Sequence, residues 1–215
     1  MNDSEKTQWG YVEKLLSISS DSILPAPRAG FSFSAAQPVG GLYRMLKARN
    51  GFYAFESALH VFPMGSREGV MDLETWNSET LWRCFFGALT KGCLFFAQDA
   101  VGMQFCFRGG EICTFDPECG VITPLCPTIQ EWANALLRDY PRLTAYPLAQ
   151  HWQAINGPLP IGNRLYPKIP FHLGREYEVE NLYAGDPVER MNFYGSLVEQ
   201  IKDLPPGSKV RLRVV

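Results

Sequence analysis

The chain has 215 residues, 46% hydrophobic and 20% charged, with a net charge of −2, which suits one good-sized globular domain. No apolar run approaches the roughly 18 residues of a membrane helix, and no basic stripe interleaved with aromatics points to nucleic acid. Charge is unevenly spread: residues 51–140 carry 11 acids and 5 bases, a net of −6, while 1–50 and 141–215 are each +2. That acidic middle reads either as a scattered solvated face or as a surface that steers a basic partner.

The opening "MNDSEKTQWGYVEKLL" holds acids and no apolar h-region, so a cytoplasmic chain without a secretory signal is expected. Trp9, Val12, Leu15 and Leu16 recur at helical spacing. A Pro-, Gly- and Ser-rich connection follows, and then Leu42, Met45 and Leu46 mark a short amphipathic helix stopped at Asn50-Gly51. From Phe52 to Phe62 the residues favour a strand, with Phe55, Ser57, Leu59 and Val61 on one face; a break near Glu56-Ser57 is the alternative. "LETWNSETLWRCFFGAL" predicts a helix capped by Asn77, with Leu81, Trp82, Phe85, Phe86 and Leu89 turned inward and one of Trp76 and Trp82 partly exposed.

"CLFFAQDA" predicts a strand, and Gly109-Gly110 predicts a tight hairpin between two more. Thr128 and Glu131 have capping-box spacing before a helix whose apolar face is Ile129, Trp132, Ala133, Leu136, Leu137 and Tyr140. A second helix is expected over 145–155, and a boundary near Gly157, where prolines and glycines crowd. Beyond it, "REYEVENLY" alternates like a strand, with Tyr177, Val179, Asn181 and Tyr183 on one face. Asp186, Pro187 and Glu189 open a helix, and "SKVRLRVV" reads as a closing strand.

Chemical motifs are sparse. The six cysteines lack zinc-finger spacing and read as thiols, small buried or half-buried hydrophobes. His60, His151 and His172 stand in no metal-binding pattern, so no metal and no cofactor are expected. No phosphate loop or nucleophile elbow occurs, and "PVGGLYR" is only a faint anion-site pattern. The residues alone therefore give a mixed α and β domain and no reaction.

"LYRMLKARNGFYAFESALHVFP" resembles the signature of the SUKH superfamily: a short helix, an Asn-Gly turn and an aromatic strand ending near proline. "DAVGMQFCFRGGEICTFDPECGVITPLCPTIQEWANAL" is similar to that superfamily's later half, and the tail from Leu165 to Gly207 looks like an extension carried by a bacterial subset. The resemblance implies an α+β fold with a curved, mainly antiparallel sheet flanked by helices. The C-terminal β-α-β extension would pack on the same domain. It divides the chain into an N-terminal helix and connection (1–41), the main domain (42–157) and the extension (158–215).

For function it implies no catalytic residue and a protein-binding scaffold: a cytoplasmic immunity protein that neutralises a bacterial toxin domain, or a regulator of the cell-wall synthesis type. A small enzyme with a scattered site is the third reading. Oligomeric state is left open. The expected contact surface is the acidic run after the aromatic strand together with one tryptophan: Glu68, Asp72, Glu74, Trp76, Glu79, Asp99, Asp116 and Glu118.

Overall fold

The structure is a computed structural model that describes residues 9–28, 39–173, 177–202, 204, 205 and 208. Six strands form one antiparallel sheet in simple chain order: β1 (Phe52–Ala54), β2 (Leu59–Val61), β3 (Leu94–Asp99), β4 (Gln104–Arg108), β5 (Glu111–Asp116) and β6 (Val121–Cys126). A second sheet pairs β7 (Arg164–Pro167) with β8 (Leu182–Gly185). Seven α-helices accompany them among the described residues: α1 (Gly10–Ser17), α2 (Gly40–Ala48), α3 (Leu73–Trp76), α4 (Arg83–Phe86), α5 (Ile129–Leu143), α6 (Tyr146–Asn156) and α7 (Pro187–Ile201). The fold is α+β, with helices flanking a sheet. No helix among the described residues is long and apolar enough to cross a membrane.

Aromatic side chains alternate across the sheet and cover both faces. On one face Trp132 of α5 meets Phe96 and Phe105 edge-on, at ring separations of 5.1 and 5.6 Å. On the other, Trp76 and Trp82 sit 5.3 Å apart and pack on Phe62, Phe95 and Phe115. Every residue of β3 is consequently buried. One cross-strand row on the tryptophan face is polar: His60 lies opposite Gln98, which lies opposite Gln104. Gln98 Nε2 meets His60 Nδ1 at 3.2 Å, and Trp76 Nε1 donates to Gln104 Oε1 at 3.0 Å, so this buried row is satisfied internally.

The Gly109-Gly110 hairpin forms as expected. Both glycines have positive φ, and Arg108 faces Glu111 across it. Thr128 Oγ1 accepts the Glu131 amide at 3.2 Å and so caps α5 as the spacing predicts, while the Glu131 carboxylate accepts the Thr128 hydroxyl at 3.1 Å rather than its backbone amide. That helix runs past Tyr140 through a kink at Asp139, because Pro141 lacks an amide and its ring clashes with the preceding turn.

Three expectations change. The aromatic stretch is a hairpin, β1–turn–β2, and its turn holds Phe55, Glu56 and Ser57 at φ near +51, +51 and +71°. Contacts from distant elements secure it: Arg164 Nη1 donates to the Ser57 carbonyl, Gln153 Nε2 donates to the Glu56 carbonyl, and Phe55 stacks on Tyr140 at 4.9 Å. The single tryptophan helix is two one-turn helices. Asn77 ends the first because its amide is engaged by the Leu73 carbonyl and by both backbone groups of Phe95. Both tryptophans are fully buried, while Phe85 and Leu89 are exposed. Residues 177–183, the described part of the expected strand, are not one strand; a 3-10 turn at Val179–Asn181 precedes β8, since Asn181 bonds both backbone groups of Ile169.

Asn50-Gly51 is more than a helix stop. α2 ends at Ala48, and Asn50 is buried, donating to the carbonyls of Pro25 and Met64 and accepting the Met64 amide at 2.7 to 2.8 Å. In the extension, α7 is capped by Asp186 and buries Met191, Tyr194, Leu197 and Val198 in the apolar cluster of the main sheet. The expected closing strand lies outside the described residues.

Candidate functional site

The eight residues expected at a contact surface separate by burial. Glu68, Glu74 and Glu79 are exposed. Asp72 is buried and caps α3, accepting the amides of Glu74 and Thr75. Trp76 has no exposure at all. Asp99 is buried and closes the β3–β4 turn by accepting the Val101 and Met103 amides at 2.9 Å; burial pushes its carboxyl up to about 7. Asp72 and Asp99 are held inward by nearby backbone amides, whereas Trp76 packs in the core and donates to Gln104; Glu118 is buried as well. Asp116 and Glu118 are the two that meet other chemically active groups.

Asp116 ends β5, and Pro117 to Gly120 turn the chain into β6. The turn closes through the Gly120 amide on the Asp116 carbonyl at 2.8 Å and the Glu118 amide on Asp116 Oδ1 at 2.9 Å. Gly120 has φ +71°, which a side chain would strain. The extension then lays a 3-10 turn, Phe171–Leu173, over this corner. His172 Nε2 lies 2.8 Å from Asp116 Oδ2, and the His172 amide donates to Glu118 Oε2 at 3.0 Å. Tyr194 of α7 donates to the other oxygen, Glu118 Oε1, at 3.2 Å. Burial raises the Glu118 carboxyl above its ordinary value, while the amides of His172 and Phe171 pull it back. Cys119 stands in the same corner: its sulfur, an Asp116 oxygen and a His172 nitrogen all lie within 4.8 Å of one another. Burial first, and Asp116 second, push the Cys119 thiol up to about 11.

Beside the corner is a cavity of about 30 Å³, bordered by Met103, Asp116, Glu118, His172 and Tyr177. Tyr177 is two-thirds exposed, stacks on Phe171 at 4.0 Å and also borders a larger open groove of about 700 Å³. The groove's far wall is the α5–α6 junction, with Arg142, Leu148 and His151; its near rim carries Glu178 and Glu180. The junction is shaped by the Pro141 kink and by Ala145, which enters α6 in the left-handed conformation at φ +52°.

The corner contains a cysteine, a histidine and a carboxylate, the side-chain types of a thiol hydrolase. A thiol held near 11 beside two carboxylates is protonated at neutral pH, so it is a poor nucleophile. The sequence could have revealed the turn, since Asp-Pro-Glu-Cys-Gly is a turn pattern. It could not reveal His172, which lies 56 residues from Asp116 and arrives through the extension.

No protein-family model matches the chain, and no curated protein matches it. Among solved structures, the crystal structure of Atu4351 from Agrobacterium tumefaciens is similar, with a TM-score of 0.48 and 9% identity, covering 91% of this chain and 81% of that one. Similarity at that level carries no argument about function.

Proposed function

We propose that this chain is a non-enzymatic protein-binding module of the immunity type, which binds a toxin domain in the cytoplasm and blocks it. The observation that carries the reading is the open groove of about 700 Å³, rimmed by the exposed Tyr177, Glu178 and Glu180 on a scaffold whose sheet is covered on both faces. Exposed aromatic rings flanked by carboxylates are what a tight, basic protein partner needs, the ring as anchor and the acids for steering. The protonated state of Cys119 supports the non-enzymatic part. The resemblance to the SUKH superfamily supplies the immunity role.

Co-expression with toxin domains encoded beside the gene tests this. The chain protects cells from one of them, and Tyr177→Ala combined with Glu178→Lys and Glu180→Lys weakens binding by about 30-fold or more, the loss expected at an interface hot spot. Failure to protect against any neighbouring toxin would sink the proposal. Full protection and unchanged affinity in the triple variant would remove the groove from it. Recovery of envelope-synthesis proteins instead would favour the regulatory alternative.

A further inference from the structure

We propose that Asp116, Cys119 and His172 form a zinc site that fastens the C-terminal extension to the β5–β6 corner. Their three donor atoms already lie within 4.8 Å of one another. Tetrahedral zinc with bonds of about 2.0 to 2.3 Å sets its donors about 3.3 to 3.8 Å apart, between the 2.8 Å that separates His172 Nε2 from Asp116 Oδ2 and the 4.8 Å within which all three donors lie. One sulfur, one imidazole nitrogen and one carboxylate oxygen suit Zn²⁺, whereas Mg²⁺ and Ca²⁺ prefer oxygen alone. Three protein ligands leave a fourth position for water. The adjoining cavity, bordered by Asp116 and His172, is roomy enough to hold a water molecule.

The surroundings are built for these roles. Asp116 Oδ1 is taken by the Glu118 amide, and Oδ2 faces His172 Nε2 at 2.8 Å, a direct contact that a metal bound by both atoms would replace. Glu118 accepts the backbone amide of His172 and the Tyr194 hydroxyl, so it fixes the segment that supplies the third ligand. The binding step balances simply. Cys119 releases its thiol proton to solvent and binds as thiolate; His172 gives up the Nε2 proton that it donates to Asp116 Oδ2, through solvent, and binds through Nε2 as neutral imidazole with its proton on Nδ1. Carboxylate and thiolate then neutralise the dication. Because His172 comes from the extension and the other two ligands from the main sheet, the metal acts as a cross-link between them. This inference is independent of the protein-binding reading.

The test uses tag-free, full-length protein stripped with a chelator and titrated with Zn²⁺ by calorimetry and with Co²⁺ by absorption. One equivalent of Zn²⁺ binds, and Co²⁺ gives tetrahedral ligand-field bands with a thiolate charge-transfer band. Cys119→Ser abolishes the charge-transfer band. His172→Ala, an exposed position whose change leaves the circular dichroism spectrum unaltered, lowers affinity at least as much as the loss of about 10- to 100-fold typical of an outer-shell residue. Cys84→Ser, at an exposed cysteine in α4, changes neither signal. Absence of saturable binding would overturn the site, as would binding that survives both Cys119→Ser and His172→Ala.

Discussion

Asp99 makes stability depend on pH in a direction opposite to that of most acids. Its carboxyl lies fully inside the protein between β3 and β4, where burial raises it from 3.8 to about 7 despite the amides of Val101 and Met103 and the guanidinium of Arg164. A carboxyl whose folded value exceeds its unfolded value holds its proton more tightly in the folded chain. It therefore contributes stability that is complete below about pH 4 and lost as pH rises through about 7, amounting to about 4 kcal/mol. His60 works the other way: burial and Arg164 hold its imidazole ring well below 6.5, so it contributes stability present above 6.5 and lost as pH falls. Asp99→Asn separates the two, because an amide oxygen still accepts both backbone bonds but does not titrate. Urea unfolding at intervals from pH 4 to 8 is the assay, and the slope is the readout, since Arg164 also loses a carboxylate neighbour. The variant gains on the wild type by up to about 4 kcal/mol between pH 4 and 8. Parallel profiles for the two proteins would refute the reasoning.

Other substitutions probe the hydrogen bonds and close contacts that position the elements. Asn50→Ala leaves the Met64 amide and two carbonyls without partners, and the urea midpoint falls by the equivalent of about 3 kcal/mol at unchanged m-value. Gly51→Ala places a methyl 2.6 to 2.8 Å from Pro63 at a φ of +69°, and thermal melting shows a loss exceeding about 1 kcal/mol. Tyr194→Phe strips one donor from the buried Glu118 carboxylate and costs about 1 to 3 kcal/mol by chemical denaturation.

Local signals were readable wherever local chemistry decides the outcome. The Gly109-Gly110 turn, the Thr128–Glu131 cap and the Asp186-Pro187 helix start each depend on residues within a few positions of one another. A break near Glu56-Ser57 was one of two readings of this stretch, and the choice stayed open because Phe55, Glu56 and Ser57 are poor residues for positive φ. Their conformation is imposed by Arg164, Gln153 and Tyr140, about a hundred residues away in sequence. The tryptophan helix was over-read because Asn77 serves β3 rather than the helix that follows it. Acidity alone could not separate the exposed Glu68, Glu74 and Glu79 from acids that the fold buries. Asp72 and Asp99 carry charge by composition but spend it on backbone amides, whereas Asp116 and Glu118 became legible only once His172 and Tyr194 were in place.

The extension is what gives the β5–β6 corner its chemistry. Without residues 171–194, Asp116 would cap a surface turn and Glu118 would lose both of its extension-derived donors. The same 3-10 turn that brings His172 to Asp116 carries Phe171, on which Tyr177 stacks, and Tyr177 forms part of the groove rim. The corner and the groove rim thus share the Phe171–Tyr177 stack. Zinc capture at Cys119 and His172 would hold that rim in one position, reducing the entropy lost when a partner closes on it. Partner affinity measured with and without Zn²⁺ reads this coupling directly, and equal affinities would show that corner and groove act separately.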